Sequence, residues 1–281
     1  MTKMSNPYSK FDLKIAIKAV VYTILFINYI YYINFDFTVA AHTLFEGSTL
    51  GEILRAFATT IDETAWIGLI FIYELETYAL SDEAYTKNRA YIINAFKFIF
   101  VVAIAHTPFA YYVNLNDVIS AVEIKNVDDL CQLVGMDKSY AFNLVYTEIT
   151  DQTCNILSSS SQFFYNDPRT FLIVQDSAGL VIERELAWID LFESLIWIAI
   201  IAVIEVNVRL QDQNLADGTA FSLLKRIKFI LYSILWIFCI YWIYRGHFMF
   251  AWDEAMWIAG FFAIEMNLSD WRKEIREDQK V

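Results

Sequence analysis

DETAWIGLIFIYELE, residues 62–76, is the stretch whose reading decides the fold. Trp66 is followed eight positions later by Glu74, and two positions after that by Glu76. The chain writes this phrase twice more. In DLFESLIWIAIIAVIEVN (190–207), Trp197 precedes Glu205 and Asn207; in DEAMWIAGFFAIEMN (253–267), Trp257 precedes Glu265 and Asn267. Each copy is introduced by acids: Asp62 and Glu63, Asp190 and Glu193, Asp253 and Glu254. Apart from these acids the phrases are as apolar as a membrane span, where a carboxylate is costly enough to require a purpose.

The composition around the phrases agrees. Hydrophobic residues make up 57% of the 281-residue chain and aromatics 17%, with a mean hydropathy of +0.40. Soluble domains lie nearer ~45–50% apolar. With only 3 Pro and 8 Gly, the expectation is an all-α integral membrane protein, because a spanning helix satisfies its own backbone. Six apolar stretches stand out: Ala19–Ile33, Ala65–Leu80, Phe98–Val113, Leu186–Val208, Phe229–Tyr244 and Phe248–Leu268. The reading is six transmembrane helices, organised as residues 1–113 (helices one to three), 114–185 (an insert) and 186–281 (helices four to six and a tail).

Charge orients the chain. Lysine and arginine gather before the first stretch (Lys3, Lys10, Lys14, Lys18), between the second and third (Lys87, Arg89), between the fourth and fifth (Arg209, Lys225, Arg226, Lys228) and after the sixth (Arg272, Lys273, Arg276, Lys280). The positive-inside rule then places both termini in the cytoplasm, in a multi-pass protein of the cell (inner) membrane. The first apolar segment reads as a retained helix rather than a cleaved signal, because it pairs with the second stretch in a repeat. A net charge of -12 argues against nucleic acid as a partner.

The repeat is a hairpin. Lys18, Lys97 and Lys228 each precede an outgoing apolar run, and the returning run carries Trp and then Glu. Glu63 and Glu74 are eleven positions apart, as are Glu254 and Glu265. That separation brings them within roughly 20° of one another around a helix and about 16 Å apart along it. The middle copy departs from this stripe, since Ser194 holds the outer position. The inner acids Glu74, Glu205 and Glu265, with Glu76, Asn207 and Asn267 beside them, form a candidate ion or proton path. The competing reading pairs them with Lys18, Lys97 and Lys228 to fix helix packing.

Asp62, Glu63, Asp190, Glu193, Asp253 and Glu254 read as an acidic outer mouth, with the alternative that Asp62, Glu63, Asp190, Asp253 and Glu254 cap the starts of helices. The three tryptophans read as interface belting or packing, with cation–π contact as the minor alternative. Tyr111 and Tyr112 read as belt residues, and Pro108 as the cause of a bend in the third helix. His42, His106 and His247 fall on the outer side and give a weak metal reading without repeat symmetry or ligand spacing.

The link between helices three and four is too long for a hairpin turn. It is expected to be a small extracytoplasmic α/β domain, helical over Asp128–Val134, with a β-hairpin formed by Thr170–Val174 and Leu180–Arg184. Cys131 and Cys154 are expected to form a disulfide there, the alternative being two buried thiols. Thr49-x-x-Glu52 is a capping box that opens a short helix at the outer interface or over the bundle mouth.

No nucleotide-binding loop, nucleophile elbow or zinc-protease motif occurs, so neither an enzyme nor a cofactor is expected. The functional expectation is a channel or transporter for a small cation or proton. The alternative is a non-transporting structural or sensory subunit, joined to a protein partner or to its own copies through the insert.

Overall fold

The computed structural model describes residues 13–76, 87–213, 215 and 218–278. Lys3, Lys10 and Lys280, and residues 77–80 of the second apolar stretch, lie outside the described residues. The fold is mostly helical. Its long helices are α1 (Leu13–Thr43), α3 (Ala58–Glu74), α4 (Lys87–Ile119), α6 (Ser177–Asp212), α7 (Thr219–Tyr244) and α8 (Phe248–Asp278). Between α1 and α3 lies the short α2 (Leu50–Ala56). The segments Ile15–Thr43, Asn88–Ile119, Ser177–Gln211 and Thr219–Tyr244, within α1, α4, α6 and α7, are long and apolar enough to cross a membrane. α3 and α8 fall outside that group; they carry Asp62, Glu63 and Glu74, and Asp253, Glu254 and Glu265 respectively.

Packing closes the six helices into a ring. α1 lies against α3, α3 against α4, α4 against α6, α6 against α7, α7 against α8, and α8 returns to α1. α8 also touches α3 and α6 across the interior. The core is built from one face of α3 (Leu69, Ile70), of α6 (Ile200, Ile204) and of α8 (Phe261, Ile264). α3 and α4 approach closely at Gly68, where a β-carbon would sit 2.4 Å from the Phe100 ring. The outward faces are apolar too: Val20 and Ile27 on α1, Phe98 and Val102 on α4, and Phe229 and Ile237 on α7 are exposed. A continuous apolar exterior is unfavourable in water and suited to lipid.

Between α4 and α6 the chain forms a five-stranded sheet: β1 (Val122–Glu123), β2 (Ser139–Phe142), β3 (Val145–Glu148), β4 (Phe163–Tyr165) and β5 (Ile173–Asp176), in the order β1-β4-β5-β2-β3. β5 is antiparallel to β4 and parallel to β2. A 3-10 turn over Leu130–Leu133 and the short α5 (Cys154–Leu157) cover it, joined by the Cys131–Cys154 disulfide. Leu130, Leu133, Phe163 and Val174 form its core.

The expected hairpin of Thr170–Val174 with Leu180–Arg184 does not form. Asp176 ends β5 and accepts the Gly179 N–H at 2.7 Å, so the chain turns directly into α6 at Ser177. A side-chain cap at a helix start overrides the strand pattern that follows it. At 36 residues, α6 is about 54 Å long and runs from the helical ring into the insert, where it packs on β2, β4 and β5. α2 begins at the expected capping box: Thr49 accepts from the Glu52 backbone and Glu52 accepts from the Thr49 backbone.

Candidate functional site

The inner glutamates meet lysines. Lys18 of α1 lies 2.9 Å from Glu74 of α3 and donates to Asn267 of α8 at 2.7 Å. Glu74 also accepts from the Tyr22 hydroxyl at 2.6 Å and from the Asn267 amide at 3.3 Å. Lys97 of α4 contacts Glu76 and lies 3.3 Å from Glu205 of α6, with its ammonium 5.0 Å from the centre of the Tyr73 ring. Arg209, one turn along α6, closes on Glu205 at 3.0 Å. Lys228 of α7 contacts Glu265 of α8. Each of the three lysines therefore holds the glutamate of the next long helix in sequence. Charges paired in this way are tolerated in a low-dielectric interior, and removing one partner costs about 3–5 kcal/mol. Asn207 is fully buried on α6, and its Oδ1 has no hydrogen-bond partner among the described residues.

The outer acids are handled differently. All six of them, Asp62, Glu63, Asp190, Glu193, Asp253 and Glu254, line a single cavity of about 190 Å³ between the helices. Among its lining residues there is no lysine or arginine. Their donors are neutral. Asp62 accepts from Trp66 at 3.0 Å and Thr107 at 2.7 Å, Glu63 from Trp257 at 3.1 Å, and Glu254 from Trp197 at 3.1 Å. Glu193 accepts from Trp242 at 2.9 Å and Asp253 from Asn28 at 2.6 Å. Two contacts join carboxyl to carboxyl, Glu63 with Asp253 and Glu193 with Glu254. Such a contact is favourable only with a proton in it, because two bare carboxylates repel. Among the described residues, the buried Glu63 Oε2 and Glu254 Oε1 receive no hydrogen bond from an N–H or hydroxyl donor.

The cavity has an aromatic floor. Trp66 lies 5.4 Å from Trp197 and 6.0 Å from Trp257, ring centre to ring centre, and Phe261 packs against all three. Below them Leu69, Ile204, Leu235 and Ile264 form a buried apolar layer. The inner glutamates lie eight positions beyond the tryptophans, about 12 Å along the helix. The two tiers of charge are thus separated by packed apolar side chains.

On the insert side, a second cavity of about 220 Å³ shares Phe35, Thr59, Tyr111 and Leu144 with the acidic chamber. Arg55 of α2, Asp117 of α4 and Arg169 of the insert meet around it, with Arg55 3.6 Å from Asp117 and Arg169 in contact with it. The β2–β3 turn places Leu144 in the wall common to both cavities. Asn143 and Leu144 both adopt the left-handed conformation, φ 53° and 63°, which is strained for a leucine. The turn is pinned by Asn143, which donates to the Arg245 carbonyl at 3.1 Å, and by the Leu144 N–H, which donates to Glu183 at 3.2 Å.

Several expectations change here. The outer acids do not cap helices: α3 starts at Ala58, α6 at Ser177 and α8 at Phe248, so all six acids lie inside their helices. The three tryptophans are buried packing residues rather than an interface belt, because each has an acid to receive its N–H and two neighbours to stack on. Tyr111 faces the chamber, while Tyr112 is exposed. Pro108 lies within α4, beside the Thr107 that binds Asp62.

The histidines go separate ways. His42 bonds Ser139 at 2.8 Å, His247 bonds Asn143 at 3.1 Å, and His106 lies beside Phe109. None of them lines the acidic chamber. Among the described residues no group of three or more His, Cys, Asp or Glu is arranged to hold a metal ion.

Sequence reasoning missed Tyr22, Asn28, Thr107, Trp242 and Leu144. Only Tyr22 carried a local signal, standing one turn after Lys18; the others reach the site from helices or turns distant in sequence. No protein-family model matches this chain, and no curated protein or solved structure shows significant similarity to it.

Proposed function

We propose that this chain is a six-span protein of the cell (inner) membrane, with both termini cytoplasmic, that moves a small cation or proton through the acidic chamber. The observation that carries this reading is the convergence of six acids on one cavity with no basic residue in its lining. Such a chamber has a strong negative potential and draws cations into it. α3 and α8 serve as the two further spans in this reading. Their acids face the chamber or a lysine partner instead of lipid, which removes the objection to burying them. The three Lys–Glu contacts support a plan of three hairpins, α1 with α3, α4 with α6 and α7 with α8. Repeats of this kind suit transport proteins, whose sites lie where the repeats meet.

The chamber, rather than the inner glutamates, is the binding site. The inner acids already have cations in Lys18, Lys97 and Lys228, so their task is to hold the ring together. The outer acids hold protons between them. An arriving cation replaces those protons, which leave toward the outer vestibule, so cation binding and proton release are coupled. The aromatic floor keeps the chamber closed to the cytoplasmic side until the helices move.

Proteoliposomes with a pH-sensitive dye inside test this. A cation gradient is expected to drive proton movement with wild-type protein, and Glu254→Gln to abolish it while the protein stays folded. Wild-type vesicles indistinguishable from empty ones under every cation and proton gradient would end the transport reading.

A further inference from the structure

Resting on the cation reading above, we propose that the chamber takes a small primary ammonium ion, a protonated amine with a short apolar body, in preference to a bare metal ion. The first argument is how the acids are distributed. A divalent metal needs several oxygens within ~2.0–2.6 Å of one point. The six acids instead sit around the walls, and no three of them among the described residues converge for a metal. Dispersed acceptors suit a cation whose charge is spread over several N–H groups.

The second argument is the wall between the acids. Trp66, Trp197 and Trp257 form the floor, and Tyr32, Trp242 and Phe250 form one side. Tyr32 and Trp242 lie 5.7 Å and 5.3 Å from Phe250. The indole N–H groups are committed to carboxylates, which fixes the rings in place as aromatic walls of the cavity. Ring faces attract ammonium ions and tolerate an alkyl chain, whereas a small inorganic ion gains less from them than it loses in hydration.

The third argument is the pair of orphaned acceptors. Glu63 Oε2 and Glu254 Oε1 belong to side chains only 6% and 5% exposed and, among the described residues, receive no N–H or hydroxyl donor, only the contacts of their carboxyls with Asp253 and Glu193. An ammonium has three N–H donors to supply. The cavity volume, about 190 Å³, equals roughly six liquid waters, enough for an ammonium head and a few carbons.

Binding displaces the protons shared within Glu63–Asp253 and Glu193–Glu254. The other titratable groups facing these pairs are Asp62 of α3, Asp190 and Glu183 of α6, Tyr32 of α1, Tyr111 of α4 and Cys239 of α7. None of them is a base that would hold a positive charge beside the ligand. Affinity therefore rises with pH as the pairs give up their protons.

The tryptophans lining the site provide the assay. Full-length protein in nanodiscs is titrated with n-butylammonium, and separately with Na+, K+ and Ca2+, at constant ionic strength, following intrinsic fluorescence. n-Butylammonium is expected to give a saturable change at least ~10-fold tighter than any inorganic ion, weakened ~10-fold or more by Glu254→Gln and strengthened between pH 6 and 8. The wild-type comparison stands even if a variant fails to fold. Saturation by an inorganic ion with n-butylammonium inert overturns the ammonium assignment and leaves the cation reading standing. If neither class binds and proteoliposomes show no proton movement, the cation reading falls and the ammonium assignment with it.

Discussion

The two tiers of carboxylates sit on the same helices, yet they solve the problem of burial in opposite ways. Glu74, Glu205 and Glu265 each have a lysine. Eleven positions back along α3 and α8, Glu63 and Glu254 have indole N–H groups and each other's neighbours, but no cation. The difference teaches that depth and residue type do not assign a role to a buried acid; its partner does. Neutralised by lysine, the carboxylate holds helices together. Left with neutral donors, it retains its demand for a positive charge, which a proton or ligand must meet.

The strongest attempt to break this comparison is Lys97→Met, which takes the ammonium from both Glu76 and Glu205 and leaves Glu205 with the exposed Arg209. A loss of about 3–5 kcal/mol is expected, read as a collapse of folded yield or of the thermal midpoint in detergent. Replacing both members of a pair, as in Lys228→Met with Glu265→Leu, is expected to restore stability to within about 1–2 kcal/mol of wild type, because a buried pair and an apolar pair of similar volume are nearly equivalent. Failure of the double variant to recover would mean that the inner tier does more than pack. Between the tiers, Phe261→Ala removes the ring shared by the three tryptophans. It is expected to cost about 3–4 kcal/mol and to make proteoliposomes leak protons.

Asp176, where the insert meets α6, sharpens the contrast. Burial raises its pKa, but donors from Ser158, Gly179 and Tyr140 outweigh this and hold it below the usual carboxylate range. A depressed value means its contribution is fully present above the unfolded pKa, ~3.9, and is lost as pH falls through the folded one. Asp176→Asn is therefore expected to destabilise the insert near neutral pH by about 1 kcal/mol, with the gap closing below pH 4; melting curves at several pH values check it. The smallest stability effect belongs to the outer tier. Glu254→Gln is expected to shift stability by under about 1 kcal/mol, because the new amide donates to Glu193, while flux disappears. A severe folding defect in that variant would place the outer acids in the same structural class as the inner ones.

Much of this was legible in the chain. The capping box at Thr49 and Glu52, the Cys131–Cys154 pair, and the register of Lys18, Lys97 and Lys228 with the inner glutamates rest on local spacing or on composition, and the structure contains each of them. Periodicity also put an outer and an inner acid on one stripe of α3 and of α8. What it does not contain is the direction in which a stripe points. The outer acids looked like caps because short-range patterns resemble helix starts, and Leu180–Arg184 looked like a strand because a short apolar run after a Gly-containing turn does not reveal a cap placed just before it.

The sequence by itself determined that this is a helical, membrane-grade chain with acids repeated at set intervals, because backbone hydrogen bonding and helical pitch are local. Only the tertiary structure decided that six of those acids share one chamber while three find lysines. Ring closure sets which helix faces which, and it is the sum of many weak contacts between residues far apart in the chain.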